Sequence, residues 1–249
     1  MYAHKGENGK AVTYYEQALS IFRDLGNRNM EAYMLYYIGN MYTSLREYGK
    51  SVTCYEQALP IYRKLGKRQD EANTLYQIGN THLDLGDREK ALSYFEQALP
   101  IFRKLGIRRD EAHTSYQIGN THFDLGDKEK ALSYFEQALP IFQEIEKRLQ
   151  RHNLASTLYK IGDSHLDLGN KEKAMTYYEQ AWQIFQKIGE RKLQADTLQK
   201  IGAMYGDLGD KEKALAYFEQ ALSIFRGMID RDRETAEIEQ NISKLQSKD

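Results

Sequence analysis

One pentapeptide recurs along this chain at a nearly fixed interval. YEQAL begins at Tyr15 and Tyr55, returns as FEQAL at Phe95 and Phe135, as YEQAW at Tyr178, and as FEQAL at Phe218. The intervals are 40, 40, 40, 43 and 40 residues. A second string, Ile-Gly followed by a small or polar residue, begins at Ile38, Ile78, Ile118, Ile161 and Ile201. Both series share one period and one three-residue insertion, so they belong to one unit. A period of this size marks a repeat architecture, in which each unit buries its apolar face only by stacking on its neighbours.

Each unit reads as two helices. Across residues 69–105, Leu75, Ile78, His82 and Leu85 recur at three- and four-residue steps. Ala91, Phe95, Ala98, Phe102 and Leu105 do the same further on. Both are helical stripes. Gly86 ends the first helix and Asp87 starts the second, as a C′ glycine and an N-cap should. Gly126-Asp127, Gly169-Asn170 and Gly209-Asp210 repeat this punctuation; Arg46 stands where the glycine is missing. Few prolines and abundant Ala, Leu, Glu, Lys and Gln favour helix.

The ordered series Leu75, Ile78, Gly79, His82, Gly86, Ala91, Phe95 and Ala98 resembles the tetratricopeptide repeat (TPR) over essentially the whole chain. The resemblance implies an all-α, right-handed superhelical solenoid of antiparallel helix pairs, with about 12 helices. Residues 1–28 are a partial first repeat lacking its first helix. Full repeats occupy 29–68, 69–108, 109–151, 152–190 and 191–229, and 230–249 is a polar capping helix. The unit is 40 residues long, which exceeds the usual length for the family. Pro60, Pro100 and Pro140 fall inside the second helix, so a continuous but bent helix is expected there. Forty-residue units of this kind resemble those of cell-polarity adaptors with GoLoco motifs, and arrays in large bacterial multidomain chains.

Two places break the period. Tyr2–Gly6 align with Tyr205–Gly209, so the chain starts mid-unit. Either it is a fragment of a longer array, or the helix face around Tyr15, Ala18 and Phe22 pairs with something, including a second copy. The insertion lies between Phe142 and Ile161, where the stripe of Ile141, Ile145 and Leu149 predicts a second helix running on to about residue 150.

Tyr76 and Asn80 lie four residues apart and share one helix face. In the resembling family the first helices line a concave groove, which places this face in it. The period yields one column of Tyr36, Tyr76, Tyr116 and Tyr159, and a second of Asn40, Asn80, Asn120 and Asp163. Lys160 and Lys200 follow the tyrosine column where Gln77 and Gln117 stand earlier. Helix pairs stacked at roughly 10 Å would meet an extended peptide about every three residues. An Asn amide can pair with a peptide N–H and C=O together, and tyrosine adds flat area at low entropy cost. These ten residues are therefore the expected peptide-binding set, and the partner is a protein or peptide segment. The competing reading is structural: duplication copies every residue, and Asn could bond a neighbouring helix instead. Asp84, Asp124, Asp167 and Asp207 stand at the lower rim. Tyrosines occupy the places where chaperone-binding members of the family carry lysine, which argues against a carboxylate clamp.

Catalytic chemistry is not legible. His82, His122 and His165 hold one place in successive units, about 10 Å apart, too far to share an ion with bonds near 2 Å; packing is their expected role. Cys54 has no adjacent histidine, and no phosphate loop, HExxH, nucleophile elbow or CxxC occurs. No enzyme activity, cofactor or metal is expected. A net charge of −1 with 29% charged residues mixes both signs, which disfavours nucleic acid or an anionic membrane as partner. No apolar run reaches the roughly 18 residues of a membrane span. A lone cysteine fits a reducing, cytoplasmic setting. A larger chain in which this array is the regulatory or sensor part is the alternative to a stand-alone scaffold.

Overall fold

The computed structural model describes residues 2–145, 151–228 and 232–246. It holds twelve α-helices and no strand among these residues. The chain divides into two compact units, 1–125 and 126–249.

The first unit contains α1 (Tyr2–Asp24), α2 (Arg28–Ser44), α3 (Tyr48–Lys64), α4 (Arg68–Asp84), α5 (Arg88–Leu105) and α6 (Arg108–Asp124). The pairs α2/α3 and α4/α5 are the two-helix units read from the sequence. The second unit contains α7 (Lys128–Glu144), α8 (Arg151–Asp167), α9 (Lys171–Ile188), α10 (Arg191–Asp207), α11 (Lys211–Arg226) and α12 (Asp232–Gln246). On α12, Ile238 is fully buried against Leu222 and Phe225, with Ile242 and Leu245 packed beside it. No helix among the described residues is long and apolar enough to cross a membrane.

The turns follow the glycines. Gly86, Gly126, Gly169 and Gly209 take φ of 80°, 90°, 79° and 81°. Arg46 takes the same left-handed turn at φ 62°, at a steric cost of about 1 kcal/mol. Asp87, Asp127 and Asp210 accept hydrogen bonds from the backbone N–H of Lys90, Lys130 and Lys213, satisfying one orphan donor of each helix. Asn170 occupies the cap position of α9 without a side-chain hydrogen bond. The helices α3, α5 and α7 run unbroken through Pro60, Pro100 and Pro140.

Three expectations are corrected. The segment aligned with a first-helix tail is continuous with the second helix, since α1 runs from Tyr2 to Asp24 through Gly6. Tyr15, Ala18 and Phe22 pack against the first core cluster, with Leu19, Leu35 and Ile38. The exposed apolar residues are instead Tyr14 and Ile21 on α1 and Leu25 just past its end, which are 70%, 57% and 71% exposed. Finally, α7 ends at Glu144 with Ile145 as its cap, because Ile145 holds the capping place that Leu65 holds after α3. The rest of the expected extension, 146–150, lies outside the described residues.

A clamp not read from the sequence joins successive helices. Glu31, Glu71 and Glu111 are buried. Each lies between two arginines: Arg23 and Arg28, Arg63 and Arg68, Arg103 and Arg108. One arginine ends a second helix and the other begins the next first helix. A buried carboxylate needs such pairing, so the clamp fixes the turn between units and with it the spacing of first helices.

Candidate functional site

Glycine sets the depth of the groove. Gly39, Gly79 and Gly162 each lie under the ring of the partner helix: Tyr55, Phe95 and Tyr178. With no Cβ, the helices approach until the ring rests on the backbone. The next layer is the tyrosine column. Tyr36 packs on Tyr55, Tyr76 on Phe95 and Tyr159 on Tyr178, with ring centroids 5.6, 5.5 and 5.5 Å apart and tilted by 53°, 51° and 58°. All three tyrosines are half-buried. Burial pushes their phenols above the ordinary range, as do nearby carboxylates: Asp70 and Asp110 at Tyr36, Asp110 at Tyr76, Asp163 and Asp196 at Tyr159.

The asparagine column is not uniform. Tyr55 Oη donates to Asn40 Oδ1 at 2.6 Å, and Tyr178 Oη donates to Asp163 Oδ1 at 2.7 Å. Asn80 and Asn120 belong to units with Phe95 and Phe135 in the place of those tyrosines. Gln117 links them: its Nε2 donates to Asn80 Oδ1 at 3.0 Å, and its Oε1 lies 3.4 Å from Asn120 Nδ2. Asn120 Oδ1 is buried without a hydrogen bond. In the second unit Lys200 stands where Gln117 stands in the first, and its Nζ lies 3.3 Å from Asp163 Oδ1. An amide–amide link and an ion pair thus serve the same step between units. Lys160 and Tyr116 have contacts of their own. Gln199 and Ala203 end both columns.

A hollow of about 260 Å³ opens in the first unit between Tyr36 and Tyr76, with the side-chain amides of Asn73 and Gln77. The ring of Phe102 and the charged or titratable groups Arg109, Asp110 and His113 complete it. Burial and the nearby Arg109 hold the His113 imidazole below its usual range, against a smaller effect of Asp110.

The other candidates fall where their chemistry places them. His82 stacks on Tyr94 and His165 on Tyr177, both at 5.5 Å; burial pushes both imidazoles down. Tyr205 stacks on Tyr217 in the same place. No group of three metal-ligating side chains lies together among the described residues. Burial pushes the Cys54 thiol up to about 11, which leaves it un-ionised at neutral pH. The rim acids Asp124 and Asp167 pair with Arg88 and Lys128 at 3.4 and 3.1 Å, and Asp207 pairs with Lys171 at 2.7 Å.

The tetratricopeptide repeat model matches residues 1–64, 30–104, 70–144 and 150–227. This chain belongs to the tetratricopeptide repeat family. The repeat is generally a non-catalytic protein-interaction module. Among solved structures, the chain is similar to BtubC (BKLC) from P. vanneervenii, at 19% identity and TM-score 0.74, with 91% of each chain covered. It is also similar to the apo form of RapI, at 19% identity and TM-score 0.72, covering 96% of this chain and 87% of RapI. A third is a signal transduction ATPase with a tetratricopeptide repeat sensor from Pyrococcus horikoshii, at 20% identity and TM-score 0.71. There 93% of this chain is covered but only 34% of the other. No curated protein sequence matches the chain.

Proposed function

We propose that this chain is a non-enzymatic interaction scaffold that holds an extended peptide segment of a partner protein along its first helices. The observation that carries the reading is the hollow between Tyr36 and Tyr76, lined by side-chain amides and aromatic faces. Asn80 and Asn120 lie outside the lining of that hollow and are the central rungs of the proposed ladder: no tyrosine of the second helix takes them as Tyr55 and Tyr178 take Asn40 and Asp163, and a peptide would compete for them only with Gln117. Tyr116 belongs to the same column in the first unit, and Tyr159, Lys160 and Lys200 are the corresponding candidates in the second. Each amide contact contributes about 0.5–1.5 kcal/mol net, so a few rungs with aromatic help give a micromolar site.

The test is capture of a partner from the source cell, mapping of the bound segment, and its affinity for wild type and for Asn80→Ala/Asn120→Ala. The double variant is expected to bind about tenfold more weakly while melting at nearly the wild-type temperature. Equal affinity would assign the Asn column to packing between units alone.

A second reading is a sensor array within a larger chain. It is supported by the likeness to the sensor-bearing ATPase and by the resemblance of the 40-residue unit to arrays of multidomain proteins. An effector domain encoded in frame with this array would establish it. Self-association through α1 is the further partner reading. Ile61 and Ile101, which repeat Ile21, are only 6% and 7% exposed because the preceding helices cover them. A second copy, laying its own Tyr14, Ile21 and Leu25 on the same three residues here, would cover them as an isologous pair. Light scattering should then show a dimer that Ile21→Glu dissociates; a monomer at high concentration overturns the reading.

A further inference from the structure

Resting on the groove reading above and deepening it, we infer that the hollow of the first unit takes an arginine side chain of the bound segment. Asp110, which lines the hollow, carries the inference, and Asp70 stands beside the hollow in the same place of the preceding unit. Asp70 and Asp110 stand one unit apart, in the first turns of α4 and α6. Both are half-buried. The hydrogen bonds they receive, from Thr74 and Thr114, go to their backbone carbonyls at 2.7 Å. Neither carboxylate has an ion pair or hydrogen bond among the described residues.

The contrast with the next residue is sharp. Glu71 and Glu111 are each clamped by two arginines, so the fold supplies cations one position away and withholds them here. An acid in a first turn suits the helix dipole, but that accounts for Glu71 and Glu111 as well, and they are paired. The charge of Asp110 reaches both tyrosines of the hollow, and that of Asp70 reaches Tyr36. Arg109 also lines the hollow. It is exposed and forms no ion pair with Asp110, so water screens it more than it screens the half-buried acids.

The lining fits a guanidinium better than an ammonium. Tyr36 and Tyr76 offer faces for a planar cation, Asp110 offers a charged acceptor, and the amide oxygens of Asn73 and Gln77 offer neutral ones. Arginine brings a flat group that stacks on aromatic rings and five donors in a fixed fork. Lysine brings a compact, strongly hydrated charge, and glutamate would meet Asp110. The second unit has Asn153 and Leu193 in the places of Asp70 and Asp110, so the preference belongs to the first unit.

The experiment is fluorescence anisotropy of the full chain with labelled nine-residue alanine peptides carrying arginine, lysine or glutamate at every third position. The arginine peptide is expected to bind most tightly and the glutamate peptide not at all. Asp70→Asn/Asp110→Asn should weaken arginine binding at least about tenfold, while Glu89→Gln, which removes one exposed charge from α5, should leave it unchanged. Melting curves confirm that the variants are folded. Tighter binding of the glutamate peptide overturns the inference. So does arginine binding that the double Asn variant leaves unmoved, or the absence of binding by any peptide. The groove reading is separated in the same assay: if Asn80→Ala/Asn120→Ala weakens whichever peptide the chain prefers, the groove stands when the arginine preference falls.

Discussion

Ala98→Asp is expected to destabilise the first unit by more than about 2 kcal/mol. Ala98 on α5 has no exposed surface and sits among Tyr55, Leu59, Ala72, Leu75, Ile78, Ile101 and Phe102. The same place is alanine at 58, 138, 181 and 221, and none of these has exposed surface. Three helices converge there, so no rotamer carries a carboxylate to water. The introduced charge has no cation beside it, and its extra atoms have no space. In a repeat array each unit is held by its neighbours, so the loss spreads to α3 and α4. For a chain of this size 2 kcal/mol corresponds to about 4–8 °C in melting temperature, which circular dichroism reads directly. Burial raises the folded-state pKa of such a carboxyl above its unfolded value. The charge penalty therefore grows as pH rises from the unfolded value to that raised value, and shrinks as pH falls back through the same window. A melting temperature unchanged at pH 7 would contradict the placement of this core.

How far the sequence carried depends on the kind of contact. Period, helix pairs, turns and core alanines are local or periodic, and a 40-residue repeat states them six times over. Even the awkward turn at Arg46 was legible, because a glycine stands there in the other units. The groove was legible in part. Its tyrosine and asparagine columns come from spacing, but their hydrogen-bond partners come from the second helix, fifteen residues away. One signal was present: Tyr55 and Tyr178 occur with Asn40 and Asp163, while Phe218 occurs with Ala203. Wherever the phenol occurs its acceptor occurs with it, but Asn80 and Asn120 keep the amide opposite Phe95 and Phe135, so the pairing is only partly legible. The clamps at Glu31, Glu71 and Glu111 were hidden for another reason. Glutamate beside arginine on a helix is ordinary as a solvated pair, and only the meeting of two helix ends shows it buried. Asp70 and Asp110 carry no signature in the sequence, because an acid in a helix's first turn is ordinary; the rim acids stand out more, yet Arg88, Lys128 and Lys171 neutralise three of them.

Three glycine-to-alanine changes test the same packing on a scale of distance. A Cβ built at Gly79 would lie 2.6 Å from Phe95 Cε1 and 2.8 Å from its Cδ1. Phe95 is fully buried and cannot yield without moving its neighbours. At Gly202 the nearest ring atom, Phe218 Cδ1, is 3.1 Å away. At Gly206 the nearest atom is Leu245 Cδ2 at 3.6 Å, an ordinary contact. In a helix, alanine gains about 0.5–1 kcal/mol over glycine where nothing obstructs it. Gly206→Ala should therefore stabilise the second unit by about 0.5 kcal/mol. Gly202→Ala should be close to neutral, since a shift of a few tenths of an ångström offsets the gain. Gly79→Ala should cost about 2 kcal/mol or more, because overpacking a buried ring outweighs helix propensity. Thermal melts of the three variants give the order, and a Gly79→Ala protein as stable as wild type would mean that the helices do not meet over that ring. The same change reaches the groove. Tyr76 rests on Phe95 with centroids 5.5 Å apart, so a displaced ring tilts one wall of the hollow. A folded Gly79→Ala protein below its melting point should bind the groove peptide more weakly, and Gly206→Ala should bind it as wild type does.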